Sequence, residues 1–324
     1  MNGTYVQDLI RVVDEIRRRS EVDDGATFLS ERSVRSGDYI TIIPDSDRPI
    51  AAVDGSNATV YSTPFFSLTA CRGAITAYCH QMRDSIRSTP CRIFRIGEGQ
   101  DEDFTDLYRE YYGRDPDAPL LKEDVITTEA AFRDTIEYGL ALFAARDLDS
   151  GTLLLLDGTL YAEHPSHHGI IDEITTTCRE RNLLLAAVTK NAGATWDGVH
   201  PLVPAVMKGA VSLGIRPPWY LGVDEGYVAC LHPGANRAFL ITVPDGYTDE
   251  EVASVFSALT SYAGDGRIVG YPYPLLDAHR HAAIRYDQVQ RIKQDIIAGC
   301  STQSIGCNEY EEIFGDYHDE LNRY

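Results

Sequence analysis

The chain has 324 residues, of which 44% are hydrophobic, and its formal net charge at pH 7 is −20. This length and apolar content indicate an ordinary globular protein with a buried core. No apolar run approaches the roughly 18 to 20 residues that cross a bilayer, and the N-terminus lacks the apolar centre of a signal peptide. We therefore expect a cytoplasmic protein that does not contact a membrane.

The acidic charge argues against nucleic acid as a partner, because a protein that grips phosphates is expected to carry a basic face. The basic residues are nearly all arginine, and the only lysines are Lys122, Lys190, Lys208 and Lys293. We interpret this composition as a solvated acidic surface suited to the high salt of a halophilic organism, which screens the overall charge. Local charge must then decide which ligand binds.

The seven cysteines are odd in number and widely scattered, and no two form a CxxC pair. This argues against a disulfide framework and against a cysteine zinc site. We expect most of them to be small core residues. They are Cys71, Cys79, Cys91, Cys178, Cys230, Cys300 and Cys307.

In chain order, residues 4–19 carry apolar side chains at helical spacing and predict an amphipathic helix that packs or oligomerises. From Tyr39 to Arg95, short β-rich runs separated by turn residues predict an antiparallel block of strands. Helical spacing returns at residues 104–112 and 127–146.

Thr152–Asp157 contains four consecutive leucines, which is typical of a strand buried on both faces of a parallel sheet. A helix over residues 170–181 and a second apolar strand over 183–188 complete a βαβ unit. The resulting order, β-β-β-α-β-α-β, predicts an α/β fold with a ribonuclease-H-like mixed sheet flanked by helices.

The remaining residues predict additional helices and a hairpin. The expected elements are a helix over 203–213, two strands in YLGVDEGYVACLH and RAFLITVP, a helix over 248–263, a strand in RIVGYPYP and a final helix over 275–297. We expect a single domain over residues 1–300, with its core at about 45–290, followed by an acidic, loosely held tail at 301–324.

Two Asp-Gly pairs follow buried strands and are the first candidates for chemistry. Asp54 follows the run Ile50–Val53, and Asp157 ends the leucine run. Ligands of open α/β sheets collect at the carboxyl ends of strands, and paired carboxylates repel unless a cation neutralises them. The pattern predicts a metal site, although a plain Asp-Gly turn would look the same.

The rise per residue of the strand and of the preceding helix predicts which helix carboxylate lies level with Asp157 as a third ligand. The strand from Thr152 to Asp157 rises about 17 Å, and the helix returns about 14 Å between Arg146 and Glu137. Glu137 therefore lies near the level of Asp157, whereas Glu129 overshoots by about 8 Å. A solvated helix glutamate is the alternative for Glu137.

Other polar residues are less distinctive. Lys190 follows the second apolar strand and is placed to hold a phosphate, although an exposed lysine fits equally. Helical periodicity cannot choose between His279 and His281 as a metal ligand or proton carrier. HPSHH, with His164, His167 and His168, lacks partners at metal spacing and is interpreted as a helix-entry loop.

Taken in their order and spacing, VDGS, LLLLDGTLY, Lys190 and YPYPLLDAH resemble the NurA family of archaeal DNA-repair nucleases over about residues 45–290. The resemblance implies a homodimer with a ribonuclease-H-like fold that degrades DNA from 5′ ends with Mn²⁺ or Mg²⁺. It also implies a hexameric HerA-type translocase as partner in double-strand-break end resection.

Carried over by residue, the resemblance makes Asp54, Glu137 and Asp157 the metal-binding carboxylates. It assigns Lys190, Tyr271 and His279 to the remaining active-site positions, and prefers His279 over His281. We expect two-metal phosphodiester hydrolysis, as a 5′–3′ exonuclease with single-strand endonuclease activity as a further expectation. Asp54, Glu137, Asp157 and His279 would hold the metal ions.

Two rival functions fit the same residues. An actin-like or sugar-kinase-like ATP phosphotransferase also uses Asp-Gly-Ser/Thr turns, as phosphate loops on ribonuclease-H-like sheets. A non-catalytic dimeric adaptor that docks to a translocase is the other. No P-loop, dinucleotide-binding or nucleophile-elbow motif is present in the sequence.

Overall fold

The computed structural model describes residues 3–20, 24–45, 48–63, 65–120, 124–190 and 193–302. The helices are α1 (Gly3–Ser20), α2 (Asp24–Glu31), α3 (Gln100–Tyr112), α4 (Val125–Asp147), α5 (His168–Glu180), α6 (Leu202–Ser212), α7 (Asp249–Ser261), α8 (Tyr273–Ala282) and α9 (Tyr286–Thr302). The strands are β1 (Ile40–Thr41), β2 (Ile50–Ser62), β3 (Phe66–Cys79), β4 (Met82–Ser88), β5 (Arg92–Gly97), β6 (Leu153–Asp157), β7 (Leu184–Thr189), β8 (Trp219–Val223), β9 (Gly226–Cys230) and β10 (Phe239–Thr242).

The chain divides into two compact units. The core unit comprises Asp47–Ala187 and Pro274–Tyr324, and the second unit comprises Met1–Ser46 and Val188–Tyr273. The expectation of one nuclease domain over residues 1–300 stays a prediction. The tail expected at 301–324 lies outside the described residues from residue 303 onward.

In the core unit the strands follow the order β7-β6-β2-β3-β4, and β5 also pairs with β3. β2 is parallel to β6 and antiparallel to β3, so the sheet is mixed. Helices α3, α4 and α5 cover one face, where apolar residues of β2 and β6 pack against Phe132 and Ile136 of α4. The predicted α/β arrangement, a ribonuclease-H-like mixed sheet flanked by helices, is confirmed.

The second unit contains an antiparallel strand order, β1-β8-β9-β10, with α2 packed on α6. Its core centres on Trp219, which meets Tyr39 edge to face at 5.1 Å between ring centroids. The predicted pairing of YLGVDEGYVACLH with RAFLITVP is present as β9 and β10, and the first segment also contains β8, which Asp224 and Glu225 join to β9. YLGVDEGYVACLH is therefore two strands and not one, because these two residues reverse the chain.

Three further expectations are corrected. RIVGYPYP forms turns followed by the first two residues of α8 and no strand, since Pro272 and Pro274 lack the backbone donors that a strand needs. The predicted final helix breaks between Ala282 and Tyr286, where the Arg72 guanidinium donates to the carbonyl oxygens of Ala282 and Ala283. The exposed strand β4 was missed, because its charged sequence lacks an apolar alternation.

The cysteines divide by burial. Cys71, Cys178 and Cys230 are buried, and burial raises the pKa of each thiol, to about 12, 12 and 11. Cys79 and Cys300 are half-buried, Cys91 is exposed, and Cys307 lies outside the described residues. Three of the seven are thus the small core residues that were expected. No helix among the described residues is long and apolar enough to cross a membrane.

Candidate metal centre

Asp54 and Asp157 lie side by side on neighbouring strands of the core unit. The parallel register pairs Val53 with Leu156, so the next residue on each strand is a carboxylate. Val53 and Leu156 point into the core beneath α4. Because side chains alternate along a strand, both carboxylates point to the opposite face of the sheet.

Asp54 does not end its strand, contrary to the sequence-based expectation. β2 continues to Ser62, and β3 pairs with it without interruption at Asp54, Gly55 and Ser56. VDGS is therefore the interior of a long strand and forms no turn. Asp157 does end β6, and Gly158 leaves the strand with a φ of +99°.

His279 reaches this pair from the other direction, on α8. Its Nδ1 lies 2.7 Å from Oδ2 of Asp54, which is buried, whereas 48% of the His279 side chain is exposed. Asp54, Asp157 and His279 each offer a ligand atom, and these atoms lie within 4.8 Å of one another. His281 turns instead toward Asp277, with Nε2 3.7 Å from Oδ1.

Helix α8 is held on β3 at both ends, which positions His279. Near its start, the Thr76 hydroxyl donates to the Pro274 carbonyl at 2.9 Å, and Asp277 accepts from the Tyr78 hydroxyl at 2.8 Å. Arg83 adds a second bond to Asp277 at 3.1 Å. At its end, the guanidinium of Arg72 bonds the last carbonyl oxygens, a favourable place for a cation.

Glu137 approaches β2 from α4, and its carboxylate does not belong to the group formed by Asp54, Asp157 and His279. Its Oε2 accepts a hydrogen bond from the backbone N–H of Gly55 at 2.9 Å, one residue after Asp54. A Cβ on Gly55 would lie 2.8 Å from that oxygen and 3.0 Å from Cγ of Arg133. Glycine is therefore required here by close approach, since any side chain would push Glu137 away from the strand.

Glu137 lies in a crowded acidic environment, and this environment shifts the pKa of its carboxyl. Burial raises its pKa well above the usual range, and the charges of Asp54, Asp134 and Asp157 raise it further. Arg133 opposes the shift, but its guanidinium is bonded to Asp134 at 2.6 Å. Buried carboxylates in this arrangement are neutralised either by protons or by a bound cation.

The other two predicted site residues occur together in the second unit. The ammonium group of Lys190 lies 5.8 Å from the centroid of the Tyr271 ring. Tyr271 is buried there. Of the six residues predicted from sequence, the structure thus groups Asp54, Glu137, Asp157 and His279 in one unit, and Lys190 and Tyr271 in the other.

Sequence reasoning did not recognise the role of Asp277, although it stands inside YPYPLLDAH. Its only sequence signal was a carboxylate two residues before His279. Glu129 was set aside as too distant, and its carboxylate is engaged by the hydroxyls of Thr59 and Ser67 at 3.1 and 3.2 Å. It therefore anchors α4 to the β2–β3 hairpin.

HPSHH has the helix-entry conformation that was expected: residues 165–167 form a 3₁₀ turn, and α5 begins at His168. His167 is buried, and Thr135 Oγ1 lies 2.9 Å from its Nε2. Burial lowers the pKa of His167 to about 3, so it is a neutral core residue at physiological pH. Within the described part of the chain, no metal-ligand group includes these histidines.

No protein-family model matches the chain, and no curated protein matches its sequence. Among solved structures, a crystal structure of NurA is similar over 88% of this chain and 96% of that chain, with a TM-score of 0.56 and 10% identity. A structure of NurA bound to dAMP and manganese covers 87% and 93%, with a TM-score of 0.47 and 10% identity.

Endonuclease V from Ciona intestinalis, in complex with inosine-containing DNA, is similar over 86% of this chain and 99% of that chain. Its TM-score is 0.40 and its identity is 12%. The predicted resemblance to NurA is confirmed at the level of the fold by the NurA structure with the higher TM-score. At this identity, the chemistry has to be argued from the residues of the site.

Proposed function

We propose that the protein is a metal-dependent DNA nuclease whose centre is built from Asp54, Asp157, Glu137 and His279. One observation carries the proposal: ligand atoms of Asp54, Asp157 and His279 converge within 4.8 Å. The buried Glu137, which accepts from the Gly55 N–H one residue after Asp54, is the proposed fourth ligand. Three carboxylates and one imidazole are unfavourable together without a cation. The NurA-like fold supports phosphodiester cleavage as the chemistry of such a centre.

The donor set fits Mn²⁺ or Mg²⁺, which prefer carboxylate oxygens, and Mn²⁺ also accepts imidazole nitrogen. Asp54 and Asp157 would hold the metal, with Glu137 and His279 completing the site, and we propose two ions. Such ions supply an activated water and stabilise the leaving oxygen. The raised pKa of Glu137 supports this assignment, because a neighbouring cation would offset the burial and the repulsion that disfavour its charged form.

The chain's own residues would orient the reaction. The Asp54 carboxylate fixes the His279 ring through Nδ1, which leaves Nε2 as the nitrogen that would either bind a metal ion or transfer a proton near the phosphate. Lys190 and Tyr271, which are neighbours in the second unit, would hold the phosphate as the resemblance implies.

We further propose that the enzyme is a homodimeric 5′–3′ exonuclease with single-strand endonuclease activity, acting with a HerA-type translocase in end resection. These points rest on the resemblance to NurA. Helix α1 supports self-association, because its described side chains are all exposed, among them Leu9 at 50% and Val13 at 53%. An exposed apolar stripe of this kind is stabilised by packing against another surface.

The central test replaces each aspartate by its uncharged isostere. Asp54→Asn and Asp157→Asn should each lower the rate of Mn²⁺-dependent DNA cleavage by at least about 100-fold, because the metal loses a charged ligand. Asp172→Asn, an exposed position on α5, is the matched control and should retain the activity. Undiminished cleavage by Asp54→Asn, with its fold intact by circular dichroism, would sink the assignment.

Polarity and partner dependence need a second experiment. DNA labelled at the 5′ or the 3′ end is digested with Mn²⁺, with and without the translocase, at low and high salt. Early release of 5′-labelled nucleotides supports the proposed direction. Early release of 3′ label contradicts the direction and leaves the nuclease assignment standing.

The ATP phosphotransferase alternative uses both Asp-Gly-Ser/Thr segments, residues 54–56 and 157–159, as phosphate loops. Residues 54–56 are paired with β3 as continuous strand, so they form no loop that could wrap a phosphate. We therefore retain the nuclease as the single proposed function. Metal titration of the intact chain separates it from the non-catalytic adaptor, which would show no cation-dependent stabilisation.

A further inference from the structure

A cavity of about 190 Å³ opens in the second unit, distant in sequence from every carboxylate of the metal centre. It lies between the end of α2, the segment around Trp196 and the β8–β9 hairpin. Half of its ten lining residues are apolar. The apolar lining residues are Phe28, Val34, Trp196, Leu202 and Val223.

The walls are fixed to one another by Arg32. Its guanidinium donates to the backbone carbonyl of Trp196 and, at 2.9 Å, to Oδ2 of Asp224. Trp196 in turn meets Phe28 edge to face, with ring centroids 5.9 Å apart. One side chain thus ties α2, the Trp196 segment and the hairpin together, so the cavity is a built feature of this unit.

Trp196 also carries an unsatisfied donor. It is 95% buried, as its relative exposure is 5%, and its Nε1–H has no acceptor among the described residues. Leaving a buried donor unpaired is unfavourable, because the donor has lost its hydrogen bond to water. A ligand that lines up a carbonyl oxygen with this indole would recover that free energy.

An exposed strand edge lies at the same place. β1 pairs with β8 only at Trp219 and Tyr220, and the bond from Ile42 N–H to the Pro218 carbonyl, at 3.1 Å, extends that pairing away from the cavity. Backbone groups of alternate residues point to the same side of an antiparallel strand. The N–H and C=O of Gly222 therefore point to the side where β1 has already ended.

Gly222 is exposed and lines the cavity. It stands next to Val223, which packs with Trp219 and Leu221 in the core of this unit. An extended segment that bonded to Gly222 would send its next side chain, one residue before or after, toward that core face and into the cavity. An open strand edge beside an apolar cavity is the geometry by which sheets bind extended peptides.

The charge at the rim of the cavity restricts which kind of partner can bind there. Asp224 and Glu225 are exposed at the hairpin turn, and Arg32 compensates only one of them. This rim repels phosphates and attracts Lys or Arg. The chain's own residues 303–324 contain six carboxylates and one arginine, so their charge does not suit it.

We propose that this cavity and the β8 edge together bind an extended segment of a partner polypeptide. The segment adds a strand at Gly222, inserts one aromatic or branched apolar side chain into the cavity, gives a backbone carbonyl to Trp196 Nε1–H, and places Lys or Arg beside Glu225. The site is independent of the proposed nuclease centre, so either assignment can fail without the other.

The test uses the full chain and a fluorescent peptide, acetyl-Lys-Phe-Thr-Val-Lys-amide, followed by anisotropy. We expect saturable binding below about 1 mM, and a loss of about 10-fold when both lysines become glutamate. Of three versions, each N-methylated at one internal residue, at least one should lose about 10-fold, because it cannot donate to the Gly222 carbonyl. Trp196→Phe, which keeps an aromatic ring without the N–H, should weaken binding similarly.

Glu225→Lys should also weaken binding, whereas Glu180→Lys, an exposed position in the core unit, is the matched control and should not. Both variants should cleave DNA like the unaltered chain. The proposal is overturned if the peptide does not bind, if the glutamate version binds equally well, or if none of the N-methylated versions is weakened. Displacement of the peptide by free nucleosides would reassign the cavity to a base and would equally overturn it.

Discussion

At the scale of single residues, the proposed metal centre depends on the few positions that supply its ligands. Asp54 and Asp157 occupy equivalent positions on two parallel strands, and His279 is hydrogen-bonded to Asp54. Burial and three neighbouring carboxylates all raise the pKa of Glu137. Its protonation should therefore be visible in the stability of the metal-free protein.

The folded chain holds the Glu137 proton at pH values where an unfolded glutamate, with a pKa of about 4.3, has released it. The stability from the protonated carboxyl is complete below that value and is lost as pH rises through the raised pKa. In the absence of metal, Glu137→Gln should have a higher melting temperature than the unaltered chain at about pH 8. At about pH 4 the two melting temperatures should be equal. Thermal melting in EDTA measures this difference.

Added Mn²⁺ should reverse the order at about pH 8, because only the carboxylate can bind the cation. Glu180→Gln, at an exposed position, should match the unaltered chain at each pH. Parallel pH profiles for Glu137→Gln and the unaltered chain would contradict the burial argument.

At the scale of elements, β2 lets Glu137 approach its backbone because Gly55 has no side chain. Gly55→Ala would place a Cβ 2.8 Å from Oε2 of Glu137. We expect a loss of about 1–3 kcal/mol in the free energy of unfolding from overpacking, together with a weaker thermal response to Mn²⁺. Urea unfolding and metal titration measure the two effects.

The control is Gly169→Ala on α5, where the nearest atom to the new Cβ is Arg114 Nη2 at 3.7 Å. This variant should be as stable as the unaltered chain or slightly more so, because alanine favours a helix over glycine. If Gly55→Ala retains the full stability and the full response to Mn²⁺, Glu137 does not depend on this close approach.

Helix α8 acts through its attachment to β3. Asp277→Asn would weaken the bonds from Tyr78 and Arg83, and we expect a loss of about 1–3 kcal/mol in the free energy of unfolding. Because α8 carries His279, the Mn²⁺ concentration for half-maximal thermal stabilisation should also increase. An unchanged metal response in a destabilised variant would show that Asp277 supports the fold alone.

At the scale of the whole molecule, the net charge of −20 is the dominant property. Like charges on the surface destabilise the compact state, and salt shortens the Debye length from about 10 Å at 0.1 M to about 3 Å at 1 M. The melting temperature should therefore rise over this range of KCl. An equal rise in sucrose at fixed low salt would attribute the effect to solvent exclusion instead of charge screening.

The amino-acid sequence determined the elements with strong local signals. The amphipathic α1 and the long α4 follow from apolar periodicity, and the buried strand β6 follows from its run of four leucines. The level of Glu137 also followed from helix and strand rise alone. These features depend on residues close in the chain, so their pattern is readable without the fold.

Only the tertiary structure decided the features that join distant segments. VDGS has the composition of a turn, yet pairing with β3 keeps it extended, and contact with Glu137 explains its glycine. Periodicity left His279 and His281 equivalent, and the attachment of Asp277 to Tyr78 turns His279 toward Asp54. Long-range contacts of this kind override local conformational propensity. The sequence therefore determined which functional side chains are present, while the fold decided which of them come into contact.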